Sequence, residues 1–394
     1  MRIAFVVNNA AFFASHRLPI AVRAIQEGHE VLLLTGQAGS ATLEPAALTR
    51  IEAAGVRHRA LPFHSNGMNP LRELWGMFAL MLALRKYRPE VVHCVSPKGI
   101  LYGGLAARCI FAPALVLAVS GMGYLFTGPK RGLRRWVGQL YTGLAQLVYG
   151  HRNKRAIVQN LDDWQSLLRQ GLASEDELVL IPGSGVPLDR FAPGDEQSRQ
   201  NIVLLPARLL RDKGVLEFVA AARWLRVRGC TWRFVLVGTA DYRNPTAIAA
   251  EEVQAWVAEG CVEWWGHRDD MEAVFARARI VCLPSYREGM PKALLEAAAA
   301  GCAVVTTDVV GCREAIEPGI TGDMVPAQDA VALATALGAL IDDPERQRRY
   351  AVAGRARAVA RFGVDAVVAR TLALYEELRQ LSTAPARKPE TPAP

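Results

Sequence analysis

The first half of the chain alternates short apolar runs with segments whose apolar residues recur every three or four positions. Ile3–Val7, Val31–Thr35, Val91–Cys94, Leu115–Val119 and Ala156–Gln159 read as strands. His16–Glu27, Leu43–Ala54 and Leu161–Gln170 read as helices, each closed by a glycine that can take the left-handed position ending a helix. Leu71–Tyr87 is apolar on several faces and reads as a core helix in preference to an apolar membrane contact. Such alternation predicts a parallel sheet covered on both sides. A Pro- and Gly-rich break at Ile181–Gly194 interrupts the pattern, which then begins again. The new strands are Ile202–Leu205, Phe234–Val237, Val262–Trp265, Ile280–Leu283 and Ala303–Thr306. The helices between them are Gly214–Arg228, Ala247–Glu259, Met271–Arg277 and Lys292–Ala300. Two long helical patterns follow, Pro344–Arg361 and Asp365–Leu381.

The expected class is therefore α/β, with two Rossmann-like doubly wound domains whose strand ends face a central cleft. Domain boundaries fall at residues 1–182 and 183–362. A helix over 363–381 is expected to pack back on the first domain, and a Pro-rich tail, 382–394, to be disordered. The strongest apolar run, Leu74–Leu84, is too short to span a bilayer and is flanked by Glu73, Arg85, Lys86 and Arg88. The opening residues read as a strand and not as a signal peptide, so a cytoplasmic location is expected. Seven cysteines without a CxxC pair or a zinc-like cluster predict reduced thiols and no metal.

Charge changes the picture through its distribution. The first 200 residues hold 22 Lys and Arg against 14 Asp and Glu, which accounts for the whole net charge of +8. No acidic residue lies between Glu90 and Asp162, whereas Lys98, Arg108, Lys130, Arg131, Arg134, Arg135, Arg152, Lys154 and Arg155 do. An anionic partner suits that stretch.

Candidate chemistry sits just after strands. Arg208, Arg211 and Lys213 precede a helix start, where unpaired amides and cations suit a diphosphate; Arg208 and Lys213 are the choices. The same loop also reads as three solvated surface cations. After Ile280–Leu283, Glu288 lies in a turn ahead of a helix opened by Pro291, and Glu296 is the lone acid within it. Carboxylates accept paired hydroxyls, so Glu296 suits ribose and Glu288 a sugar, with the Gly289 and Met290 amides toward phosphate. Alternatively Glu288 serves the helix dipole and Glu296 a buried ion pair.

These residues, an R-x4-K after one strand and an E-x7-E after another, resemble the family 4 glycosyltransferases of GT-B fold. Ile181–Pro193, Val237–Gly238, Trp265–Arg268, Pro284–Ser285 and Gly311–Ile316 resemble that family's recurrent segments in the same order. The resemblance implies an acceptor-binding first domain, a nucleotide-sugar-binding second domain, a retaining mechanism and no metal or other cofactor. It assigns the donor diphosphate to Arg208 and Lys213, the sugar to Glu288, the ribose to Glu296, and the base to backbone near Gly266 and Arg268. Arg208, Lys213 and Glu288 are the catalytic candidates; Gly238, Arg268, Gly289, Met290 and Glu296 complete the donor set.

In the first domain, His16, Arg17, Lys98, Ser120 and Tyr124 are the acceptor or cleft candidates, although His16 and Arg17 also read as an exposed helix-start pair. His93, inside an apolar strand, reads as a satisfied core residue. Val119–Gly128, with His16 and Arg17, resembles the bacterial subgroup that extends polyprenyl-diphosphate-linked sugars, including N-acetylgalactosaminyl transferases. That likeness implies a UDP-sugar donor carrying an N-acetylhexosamine, and a polyprenyl-diphosphate-linked acceptor in surface polysaccharide synthesis. The chain would then sit peripherally on the inner face of the cytoplasmic membrane, with Lys130, Arg131, Arg134, Arg135, Arg152, Lys154 and Arg155 toward anionic lipid. A nonhydrolysing sugar-nucleotide epimerase would share the architecture but needs acid and base residues beside the sugar. A non-enzymatic nucleic-acid or anion binder explains the cations and leaves Glu288 and Glu296 unexplained, so no nucleic-acid partner is expected.

Overall fold

The computed structural model of the chain describes residues 1–37, 43–64, 70–121, 133–239 and 244–383, with side chains for all of these except residues 64, 70 and 133–140. It divides into two units. The first takes Met1–Ile157, Gln165–Val179 and the described residues from Val368 on; the second takes Val158–Trp164 and Leu180–Val367.

In the first unit Ile3, Ala4, Phe5, Val6 and Val7 have no exposed surface, because this strand has neighbours on both edges and layers on both faces. The elements run β1 (Arg2–Val7), α1 (Ala10–His16), α2 (Leu18–Gln26), β2 (Glu30–Gln37), α3 (Glu44–Ala53), β3 (Arg57–His64), α4 (Pro70–Tyr87), β4 (Val91–Val95), α5 (Pro97–Cys109), β5 (Ala114–Ala118), α6 (Leu133–Tyr149), β6 (Lys154–Val158), α7 (Leu161–Arg169) and β7 (Leu178–Leu180). The sheet order is β3-β2-β1-β4-β5-β6-β7. β1 pairs in parallel with β2 and with β4, so chain direction across the sheet reverses beside β1. That reversal is the doubly wound switch point.

The second unit repeats the plan with β8 (Gln200–Pro206), α8 (Val215–Val227), β9 (Arg233–Val237), α9 (Ala250–Ala258), β10 (Glu263–Trp264), α10 (Met271–Arg277), β11 (Ala278–Leu283), α11 (Lys292–Ala299), β12 (Ala303–Thr307), α12 (Cys312–Ala315), β13 (Gly322–Val325), α13 (Ala330–Ile341) and α14 (Pro344–Arg361). Its order is β10-β9-β8-β11-β12-β13, and β8 pairs in parallel with β9 and β11. Its switch point therefore lies between β8 and β11. One core layer packs Leu205, Phe218 and Leu337 on one face of this sheet; the other packs Leu204, Phe275 and Leu294 on the opposite face. α15 (Val364–Thr383) closes the described chain.

Four expectations are corrected. The helix expected to begin at His16 is preceded by another: Asn9 caps α1 by accepting from the Phe12 amide at 2.8 Å, and α2 starts anew after Arg17. Strands β3, β7 and β13 were not legible in the apolar pattern. α15 runs to Thr383, past the expected start of a disordered tail at residue 382. α4 is a core helix on one side only: Leu80, Ala83 and Leu84 are buried, while Leu71, Leu74, Trp75, Phe78 and Leu82 are exposed.

Candidate functional site

The donor candidates all belong to the second unit, and the sheet order explains why they meet. Arg208 and Lys213 follow β8, Glu288 follows β11, and these two strands are neighbours at the switch point. A single-turn 3-10 helix over Arg211–Lys213 ends at Gly214, whose φ of +71° is left-handed. A Cβ there would lie 2.0 Å from the Pro284 carbonyl oxygen, so only glycine lets the two loops approach this closely. The Tyr286 amide then donates to the Asp212 carbonyl at 2.9 Å. The Thr307 hydroxyl donates to the Ser285 carbonyl, and the Glu288 amide to the Val310 carbonyl at 3.0 Å.

Within this frame Lys213 Nζ donates to Glu288 Oε1 in a mostly buried ion pair, and Ser285 Oγ donates to the same oxygen at 2.7 Å. A cation and a hydroxyl-binding carboxylate are thus held side by side. Among the described residues, the amides of Gly289 and Met290 donate to no other group. They lie just ahead of α11, whose N-terminal end carries the positive pole of the helix dipole. Arg208 is exposed on the first loop.

Glu296 is largely buried on α11 and pairs with Lys292 one turn earlier at 3.2 Å. Burial raises its pKa above the usual carboxylate range, with Lys292 opposing the shift. Gly238 ends β9; its amide donates to the Gly266 carbonyl at 2.8 Å, and its own carbonyl accepts from the Trp264 indole at 2.8 Å. A Cβ on Gly238 would stand 2.0 Å from the Ala207 carbonyl oxygen, so this position ties the β9 loop to the β8 loop. The Arg268 guanidinium is engaged by Asp270 through bonds of 2.7 and 2.5 Å.

Two residues that the sequence reading passed over support the Glu288 turn. Asn160 is fully buried; its Nδ2 donates to the Gly289 carbonyl at 2.7 Å and to Asp163 at 2.9 Å. Asp163 is buried too, and its amide donates to Asn160 Oδ1 at 2.7 Å. The available signal was an Asn ahead of an acidic first helical turn, a common cap pattern.

The first-unit candidates fare differently. His16 stacks on Phe12 with ring centroids 4.2 Å apart, and its Nδ1 lies 2.5 Å from Ser15 Oγ. Arg17 is buried, not exposed at a helix start. Burial pulls its pKa down to about 10; Nη1 donates to the His16 carbonyl at 3.0 Å, and Nε has no partner. His93 is only half satisfied, since Nδ1 meets the Tyr375 hydroxyl and the buried Nε2 meets nothing. Burial, with Arg17 nearby, lowers its pKa and keeps the ring neutral.

Lys98 is paired with Glu73 at 2.8 Å and lies over the Tyr102 ring. Ser120 lines an apolar cavity of about 30 Å³ with Ile100, Leu101, Tyr141 and Leu172. Tyr124, Lys130 and Arg131 lie outside the described residues, and the side chains of Arg134 and Arg135 are likewise outside them. Arg152 is exposed. Lys154 is corrected: it is buried and paired with Glu177, because a lysine inside β6 has no route to solvent. Arg155 is also engaged, by Glu377 and the Lys154 carbonyl. Neither presents a free cation to a surface.

A hollow of about 510 Å³ in the second unit lies at the other strand ends, beside Arg199, Arg279 and Arg355. Its arginines are occupied: Arg199 by the Ala300 carbonyl, Arg355 by the Phe191 and Ala299 carbonyls, and Arg279 by Glu196. They tie loops together. Among the described residues no cluster of three His, Cys, Asp or Glu is arranged to hold a metal.

Two doubly wound parallel-sheet units, one carrying a cation and a carboxylate side by side at its switch point, define a protein of GT-B fold. Comparison with known proteins agrees. Residues 16–183 match the glycosyl transferase 4-like domain, and residues 200–343 match the glycosyl transferases group 1 domain. The chain belongs to the glycosyltransferases built from these two domains and is a hexosyltransferase.

Among relatives, it is 27% identical over 398 residues to the N,N'-diacetylbacillosaminyl-diphospho-undecaprenol α-1,3-N-acetylgalactosaminyltransferase of Campylobacter jejuni, covering 96% of this chain and 99% of that one. It is 24% identical to the UDP-Gal:α-D-GlcNAc-diphosphoundecaprenol α-1,3-galactosyltransferase of Escherichia coli, over 76% of this chain and 79% of that one. The solved structure of Anabaena HepE in complex with UDP-glucose superposes with a TM-score of 0.74 at 18% identity, covering 95% and 99% of the two chains. Among the described residues no helix is long and apolar enough to cross a membrane.

Proposed function

We propose that this chain moves a sugar, an N-acetylhexosamine, from a UDP-sugar onto a polyprenyl-diphosphate-linked saccharide, with retention at the anomeric carbon. The observation that carries the reading is the Lys213–Glu288 pair beside the free Gly289 and Met290 amides. In the donor complex a diphosphate oxygen takes over Lys213, with Arg208 and the α11 amides on the remaining oxygens. Glu288, released from the lysine, accepts sugar hydroxyls while Ser285 keeps it oriented, and Glu296 accepts ribose hydroxyls.

The bond from the anomeric carbon to the diphosphate breaks, and its electron pair stays on the diphosphate. The fixed cation and amides stabilise that developing charge, a contribution of several kcal/mol per group in comparable sites. The acceptor hydroxyl bonds to the anomeric carbon from the same face and gives its proton to a diphosphate oxygen. Relatives that act on undecaprenol-linked saccharides support the acceptor class, and HepE with UDP-glucose bound supports the donor class. The chain works peripherally at the cytoplasmic face of the membrane, and its anionic partner is this substrate pair and not a nucleic acid.

The test is release of nucleoside diphosphate from UDP-, GDP- and ADP-sugars with inner-membrane lipid extract as acceptor. The wild type is expected to turn over one UDP-sugar only when lipid is present, and Lys213→Ala and Glu288→Gln to lose at least a hundredfold in rate. Specific binding of no nucleotide sugar at all would overturn the assignment.

A further inference from the structure

The outward side of α4 is apolar, and nothing described covers it. Leu71, Leu74, Trp75, Phe78 and Leu82 are 79, 67, 61, 43 and 47% exposed. At 3.6 residues per turn these five fall within about 100° of the helix circumference. The opposite side is the core side: Leu80, Ala83 and Leu84 are buried, and Gly76 lets the helix approach Phe63 of β3 so closely that a Cβ would stand 2.7 Å from it. The helix is thus apolar twice over, and only one of its apolar sides is used by the fold.

The charges around the stripe have one sign. Arg85 and Lys86 are exposed and bracket the same outward arc at its C-terminal end, with Arg72 and Arg88 exposed nearby. The single acid of the helix, Glu73, points elsewhere: it is held by Lys98 at 2.8 Å and by the Tyr102 hydroxyl at 2.7 Å. A tryptophan and large aliphatics flanked by cations match the boundary between lipid headgroups and acyl chains. A parallel pairing with a second copy of the stripe would set cationic ends against each other.

We propose that α4 lies in the plane of an anionic lipid bilayer, with Leu71, Leu74, Trp75 and Phe78 inserted and Arg85 and Lys86 on lipid phosphates. This deepens the peripheral location given above and rests on that reading only for why the chain visits a membrane. The basic surface expected over Lys130–Arg155 does not supply this contact through Lys154 or Arg155, which are occupied by carboxylates.

The test is flotation of the full chain with phosphatidylcholine vesicles prepared with and without phosphatidylglycerol. The wild type is expected to float with the anionic vesicles. Leu74→Glu combined with Trp75→Glu is expected to lower the partition coefficient at least tenfold, and Arg85→Gln with Lys86→Gln to abolish the preference for phosphatidylglycerol. Quenching by bromine-labelled lipid, which does not depend on any charged variant folding, is expected to fall when Trp75→Phe removes the inserted indole.

Undiminished flotation of the Leu74→Glu/Trp75→Glu chain would overturn the proposal, as would equal quenching of the Trp75→Phe chain. A vesicle-free dimer that dissociates in the Leu74→Glu/Trp75→Glu chain would overturn it in favour of self-association. UDP binding by calorimetry is read separately. Loss of UDP binding in the wild type would sink the proposed function and leave the flotation result standing.

Discussion

Replacing Gly214 by alanine tests whether the donor site depends on the contact between the β8 and β11 loops. The backbone at 214 has φ +71° and ψ +25°, a left-handed conformation that costs an alanine roughly 1–2 kcal/mol. The new Cβ would stand 2.0 Å from the Pro284 carbonyl oxygen and 2.6 Å from its carbon. Side-chain carbons do not approach backbone below 3.0 Å, so the loops must part by about 1 Å. Parting them strains the Tyr286 amide bond to Asp212 and the Thr307 hydroxyl bond to the Ser285 carbonyl, each worth about 1 kcal/mol. The sum is roughly 3–4 kcal/mol, enough to weaken a domain without unfolding it. Urea unfolding is expected to show that loss, and calorimetry at least a tenfold weaker affinity for UDP, because Lys213 and Glu288 no longer share one site. A Gly214→Ala chain within 1 kcal/mol of wild type and with unchanged UDP affinity would refute the reasoning.

Three further outcomes follow from buried charge. Glu296 has its pKa raised by burial, so the folded chain binds a proton there more readily than the unfolded one, and stability falls as pH rises through the carboxylate range. Glu296→Gln is expected to flatten that slope in urea midpoints measured across acidic to neutral pH, and an identical slope in both chains would contradict it. Arg17 is a buried cation with one recorded bond and an unpartnered Nε, so Arg17→Met is expected to stabilise by about 1–3 kcal/mol; a loss of stability in thermal unfolding would count against this. Lys154→Met leaves Glu177 without its partner and is expected to cost about 1–3 kcal/mol, less than a fully buried pair because Glu177 is partly exposed, while vesicle flotation stays unchanged.

The central strands were legible because burial on both faces makes them continuous apolar runs. β4 and β5 are fully buried and were read within one residue at each end. The three strands missed, β3, β7 and β13, are all at sheet edges. β3 reads Arg57-His-Arg-Ala-Leu-Pro-Phe-His64, where edge position tolerates charge and proline that a central strand excludes. α1 was missed for another reason: its helix signal lies in the Asn9 cap and not in any apolar period.

Periodicity and composition fail where one kind of residue serves two environments. Leu71–Tyr87 shows why: Leu80 and Leu74 are the same residue type on one helix, yet the first is fully buried and the second is 67% exposed. An apolar count sums both sides and reports a core helix, so the stripe becomes visible only once β3 takes one side. The basic excess misleads in the same way. Lys154 and Arg155 contribute to the charge of the first half, but carboxylates at Glu177 and Glu377 neutralise them locally.

Lys213 and Glu288 were singled out as candidates because each follows a strand, yet their separation of 75 residues gives no hint that they touch. That contact is created by strand order, which places β8 and β11 side by side, and by Gly214, which lets the loops close. The site is therefore a property of topology as much as of its side chains. Moving the same lysine and glutamate to loops after β9 and β12 would separate them by three strand spacings, roughly 14 Å, beyond the reach of one diphosphate-bound sugar held by both.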